Sequence, residues 1–154
     1  MKIKWKSLIL SLAIPLAVGG LAAFLTRNAM DDFASLKKPP LSPPGWLFPV
    51  VWTVLYILMG IASYLIYNSN SDIKKIPLGI YGIQLFFNFF WSIIFFNLKM
   101  YFLAFLWLVV LFLAIWATIY VFGMINKKAA ILLVPYLLWV TFAGYLNYAI
   151  FLLN

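Results

Sequence analysis

The sequence predicts an all-α, polytopic membrane protein: one bundle of five transmembrane helices with a long ordered loop after the first. Two observations carry this. Of 154 residues, 67% are apolar and 9% charged, whereas soluble domains carry about 25% charged residues. The charges also cluster at Lys2–Lys6, Arg27–Lys38, Asp72–Lys75, Lys99 and Lys127–Lys128, leaving uncharged runs at 7–26, 39–71, 76–98, 100–126 and 129–154. Each run can hold the roughly 20 residues a helix needs to cross hydrocarbon. Only helices and closed barrels satisfy their backbone in lipid, and these runs lack the strict alternation of barrel strands.

The first helix spans about 7–26. Lys2, Lys4 and Lys6 before an apolar run, with Gly20-Leu21-Ala22 as a small-residue cleavage site, resemble a secretory signal. The run exceeds the roughly 7–15 residues of a signal core, so it reads as a membrane helix. Pro15, Gly19, Ala22 or Ala23, and Thr26 form a small-residue stripe that lets a neighbour or a ligand approach closely. Loop 27–45 is the longest, at 19 residues, and the richest in mixed charge: Arg27, Asp31, Asp32, Lys37 and Lys38. Long loops in compact proteins tend to be functional, so it reads as a ligand lid. Pro39, Pro40, Pro43 and Pro44 stiffen its end.

The second helix, about 46–67, places Trp46, Pro49, Thr53, Tyr56, Gly60, Ser63 and Tyr67 on one face, with Trp52 and Met59 at its border. A stiff loop feeding an aromatic, hydroxyl-bearing face suits the lid and wall of a cavity. It equally suits an external loop followed by an interfacial tryptophan belt.

Polar Asn68–Ser71, then Lys74, Lys75 and Pro77, lead into the third helix, about 78–98. Here Gln84, Asn88 and Ser92 follow at four-residue spacing, with Tyr81 and Trp91 on the same side. Unpartnered amides in hydrocarbon cost several kcal/mol, so these must face the bundle interior. They either join helices or present donors and acceptors to a ligand. The fourth helix, about 101–122, carries Ala104, Trp107, Ala114 and Thr118 and reads as mainly structural. The fifth, about 130–152, aligns Tyr136, Trp139, Ala143, Asn147 and Ile150, and Asn88 is the expected partner of Asn147.

The net charge of +8 sits at helix ends, where basic side chains snorkel and set topology, so nucleic acid is not the expected partner. Lys and Arg number seven on the side of the N-terminus and four on the other. The N-terminus is therefore expected in the cytoplasm, with loop 27–45 and the C-terminus outside. Cysteine and histidine are absent. That removes disulfides, thiolate nucleophiles, the usual zinc sites, histidine acid–base chemistry and the commonest haem ligand. No metal site and no cofactor are expected. No charge lies within a span to mark an ion path, and an odd helix number argues against an inverted-repeat transporter.

Three motifs carry a resemblance: PPLSPPGWLFPVVWTVLYILMG (39–60), QLFFNFFWSIIFF (84–96) and PYLLWVTFAGYLNYAIF (135–151). In this order they resemble the tryptophan-rich sensory protein/translocator protein family, also called peripheral-type benzodiazepine receptors, over nearly the whole chain. The resemblance implies a bacterial membrane protein with a five-helix bundle, usually a homodimer, and a ligand cavity near the first loop. It also implies porphyrins such as protoporphyrin IX, haem, sterols and isoquinoline carboxamide-type drugs as ligands. Trp52 and Trp139 would line the cavity, alongside Asn88, Trp91 and Asn147. Some bacterial members are reported to break down protoporphyrin IX in light, which would make Trp52 and Trp139 the photochemical residues here. Adding the helix faces gives a candidate binding set of Ala23, Pro44, Trp46, Trp52, Tyr56, Gln84, Asn88, Trp91, Trp139, Ala143 and Asn147.

One departure bears on the ligand. Animal members carry a cholesterol pattern of Leu or Val, then Tyr, then a basic residue near the C-terminus, whereas Tyr148 is followed by AIFLLN. A reversed pattern, Lys99-Met-Tyr101-Phe-Leu103, is a weak signal. A flat porphyrin is thus expected ahead of cholesterol, and a metal-free one, since haem iron would lack its usual ligands. The alternatives are light-dependent porphyrin breakdown and transport of a tetrapyrrole or sterol.

Overall fold

The computed structural model describes residues 2–154. Among them are five helices long and apolar enough to cross a membrane, and no strand. These are α1 (Trp5–Thr26), α3 (Leu47–Tyr67), α4 (Lys75–Ser92), α5 (Tyr101–Gly123) and α6 (Lys127–Leu153), with a short α2 (Met30–Ala34) in the first loop. Around the bundle the order is α1, α3, α6, α5, α4, closing back onto α1.

Local chemistry sets the ends. Pro49 and Pro77 lie in the first turns of α3 and α4, where a missing N–H leaves no helical bond unmade. Pro49 therefore starts its helix and breaks nothing. Asn126 caps α6, accepting from the backbone N–H of Lys128 at 2.9 Å and Ala129 at 3.3 Å. The cap starts the helix three residues before the expected 130, because an Asn side chain satisfies orphan N–H groups of the first turn. The third span differs most. After Ser92 the chain widens into a π-helical turn, Ile93–Asn97, and Lys99 adopts a left-handed φ of 55°. Such turns recur at functional sites, and this one re-aims Phe95 and Phe96.

Two glycines fix the α1–α3 crossing. A Cβ on Gly60 would come within 2.8 Å of the Leu12 Cα and 2.9 Å of the Ser11 carbonyl oxygen. A Cβ on Gly19 would clash with the edge of the Tyr56 ring at Cε2 and Cδ2. Contact this close is how apolar helices gain dispersion energy in lipid, where burial from water gives no drive. The outer faces, including Leu106, Val110, Leu113 and Trp116 of α5, are exposed and apolar, as a lipid-facing surface requires.

Candidate ligand-binding site

A cavity of about 330 Å³ lies between α1, α3, the π turn and α6, beneath the first loop. Its floor and walls are aromatic: Trp52 and Tyr56 from α3, Trp91 from α4, Phe95 and Phe96 from the π turn, Trp139 from α6. Gly19, Ala22 and Ala23 form the α1 wall, where small side chains leave room for a guest. Trp52 stacks on Tyr56 (centroids 5.6 Å apart, planes 29°) and meets Tyr136 edge-on at 6.2 Å.

Behind this wall runs a buried polar chain. The Tyr56 hydroxyl donates to Asn88 Oδ1 at 2.8 Å, Asn88 Nδ2 donates to the Tyr136 hydroxyl at 2.7 Å, and Tyr136 donates to Gln84 Oε1 at 2.7 Å. It ties α3 to α4 and α4 to α6. Asn147 is used differently. Its Oδ1 accepts from Trp91 Nε1 at 3.0 Å, and its Nδ2 donates to the Tyr101 carbonyl at 2.8 Å. Asn88 and Asn147 are therefore not bonded to each other, contrary to the sequence expectation. Each finds tyrosine or tryptophan polar groups, which periodicity alone does not bring into view.

The first loop closes the outer end. Expected as an ordered lid loop with no helix assigned, it folds into a 3₁₀ turn, Arg27–Ala29, and then α2. Phe33 of α2 points into the cavity and meets Phe48, Phe95 and Phe96 at centroid distances of 6.1, 6.0 and 5.2 Å. Two links hold the loop down, and a third ties the end of α1 to the π turn. Lys99 Nζ meets Asp32 Oδ2 at 2.8 Å. Asn154 grips the Lys37 backbone, accepting from its N–H at 3.2 Å and donating to its carbonyl at 2.9 Å. Asn97 Nδ2 donates to the Leu25 carbonyl at 3.0 Å. The bond to Asp32, and then its charge, raise the Lys99 pKa above the ordinary lysine value.

Of the residues singled out from sequence, Ala23, Trp52, Tyr56, Trp91, Trp139, Ala143 and Asn147 meet at this cavity. Four do not line it. Gln84 and Asn88 are buried one layer behind, spent on tyrosine hydroxyls. Pro44 is exposed, and Trp46 is 68% exposed at the N-terminal end of α3. The stripe through Trp46 continues inward only from Pro49, since Trp46 precedes the first helical residue. Phe33, Phe48, Phe95 and Phe96 were not foreseen. Phe33 depends on how the loop folds, Phe48 on where α3 begins, and Phe95 and Phe96 on a π turn that no proline or glycine announces.

Similarity to known proteins agrees with this architecture. Residues 11–153 match the TspO/MBR family. The chain is 38% identical over 151 residues to the tryptophan-rich protein TspO of Chlorobaculum tepidum, covering 96% of each chain. It is 34% identical to the tryptophan-rich sensory protein of Cereibacter sphaeroides, covering 100% of this chain and 95% of that one. To the human translocator protein it is 36% identical over 130 residues, covering 82% and 77%. With five spanning helices around an aromatic cavity and a family match over nearly its whole length, the chain is an integral membrane protein of the TspO/MBR family.

Proposed function

We propose that this protein is a receptor for porphyrins such as protoporphyrin IX, and for other flat hydrophobic ligands, including isoquinoline carboxamide-type drugs, held in the cavity under the first loop. The observation that carries the reading is the convergence of Trp52, Trp91 and Trp139 on one cavity, alongside Phe33, Phe48, Phe95 and Phe96 and the small residues Gly19, Ala22 and Ala23. Aromatic faces stack on a macrocycle, and about 330 Å³ lies at the small end of the range of drug-sized sites. In the same reading the chain sits in a bacterial membrane as a homodimer, N-terminus inside. The lid then faces outward, and Tyr148 lacks the basic residue of the cholesterol pattern.

The test is titration of protoporphyrin IX against tryptophan fluorescence in detergent and in vesicles. Saturation at one pigment per protomer, lost when Ala23 and Ala143 are enlarged to Leu in a protein that still folds, supports the reading. Binding that never saturates, or that survives filling the cavity, removes it.

A second reading is light-dependent breakdown of the bound pigment, favoured by the stacking of Trp52 on Tyr56 and its edge contact with Tyr136. Oxidisable rings beside an excited porphyrin can donate an electron without any general base. Repeated turnover under illumination separates this from simple binding.

A further inference from the structure

Two of the polar side chains in the cavity wall are already paired within the protein. Tyr56 donates to Asn88, and both ends of the Asn147 amide are paired with Trp91 and Tyr101. The indole N–H groups of Trp52 and Trp139 can meet a neutral acceptor, but the lining contains one charged side chain to meet an anionic group, Arg27.

Arg27 follows the last residue of α1, at the outer end of the cavity beside Thr26, Met30 and Ser42. One guanidinium nitrogen, Nη1, donates to the Phe24 carbonyl, and the group lies over the Phe24 ring, 3.9 Å from its centroid. Stacking orients the guanidinium plane while leaving most of its five N–H donors uncommitted. The nearby cations differ. Lys99 is paired with Asp32, and Lys38 Nζ donates to the carbonyls of Ala34 and Leu36. Among the described residues Arg27 has no carboxylate partner.

We propose that Arg27 is the specificity-determining residue of this site, and that it selects flat hydrophobic ligands carrying a carboxylate at one edge. The apolar body enters among Trp52, Trp91 and Trp139, and the carboxylate stays at the mouth, accepting hydrogen bonds from the guanidinium. A carboxylate at the mouth remains partly hydrated, so the ligand is not charged a full desolvation penalty. A charge-assisted pair there is stronger than a neutral one, and Arg holds a carboxylate in two-point geometry that Lys cannot reproduce. The inference rests on the porphyrin reading and names the chemical class that the site prefers.

The test compares protoporphyrin IX, a dicarboxylic acid, with its dimethyl ester, titrated by tryptophan fluorescence against wild type, Arg27→Gln and Arg27→Lys. Because the two pigments partition differently into micelles, the quantity read is the ratio of diacid to diester affinity, compared between proteins. Arg27→Gln should lower that ratio about tenfold, equivalent to ~1.4 kcal/mol, by weakening the diacid and leaving the diester unchanged. Arg27→Lys should fall between, and the preference should shrink in high salt. Melting curves identify any variant that has lost its fold, in which case Arg27→Lys carries the comparison. An unchanged ratio in a folded variant overturns the proposal. Saturable binding of neither pigment to wild type overturns the porphyrin reading itself, and this inference with it.

Discussion

Replacing Asn88 by Leu separates structure from binding at the centre of the bundle. Asn88 joins Tyr56 to Tyr136 through bonds of 2.8 and 2.7 Å, linking three helices, and it does not line the cavity. The change removes both bonds. It leaves the Tyr56 hydroxyl buried without an acceptor, while Tyr136 keeps its bond to Gln84. One stranded hydroxyl costs about 1–3 kcal/mol, and the lost interhelical bonds about 0.6 kcal/mol each. The expected loss is therefore about 2–4 kcal/mol, partly recovered in Asn88→Leu combined with Tyr56→Phe, which removes the stranded group. Stability would be read from unfolding in mixed micelles, and protoporphyrin affinity from titration of the folded fraction. Stability should fall and affinity stay within about twofold, since the side chain is a layer away from the guest. A tenfold loss of affinity at unchanged stability would refute this and put the Asn88 amide in contact with ligand.

Four further outcomes follow from the same geometry. Gly60→Ala should loosen the α1–α3 crossing by about 1–3 kcal/mol, because its Cβ meets helix backbone at 2.8 Å, whereas Gly20→Ala, with nothing within 4 Å, should be neutral or slightly stabilising in the same unfolding assay. The Lys99–Asp32 pair should hold the lid at neutral pH and weaken as pH rises through the raised Lys99 pKa; pigment release in stopped flow should therefore be flat across neutral pH and accelerate in strong alkali, and Asp32→Asn should remove that alkaline step. The double change Trp52→Phe, Trp139→Phe should keep most binding, losing about 1 kcal/mol of stacking per ring, while any light-driven loss of pigment, followed by absorbance at matched occupancy, largely stops. Single cysteines placed at Ser42 and Ser71 in this cysteine-free chain should label from outside the cell at 42 and not at 71.

The five spans were legible because lipid leaves a chain of this composition few alternatives, and a helix puts every fourth residue on one face. The same logic located Trp139, Ala143 and Asn147 on the cavity side of α6. Periodicity resolves direction and not depth, however. Gln84 and Asn88 share the inward face of α4 with Trp91, yet only Trp91 reaches the cavity, because Tyr56 and Tyr136 from two other helices stand between. Their pairing is tertiary information. The lid was visible as a long charged loop, but Phe33 as its inner face depends on the turn of α2. Phe95 and Phe96 depend on a π turn within a run that reads as uninterrupted helix. Trp46 misled for a local reason: it shares the spacing of the α3 stripe while sitting before the first helical turn.

A structure of the protein bound to protoporphyrin IX tests the central claim most directly. The account predicts one macrocycle per protomer between Trp52 and Trp139, beneath Phe33, with one propionate at Arg27. A macrocycle on the lipid-facing surface or between protomers, with Trp52 and Trp139 untouched, would contradict it.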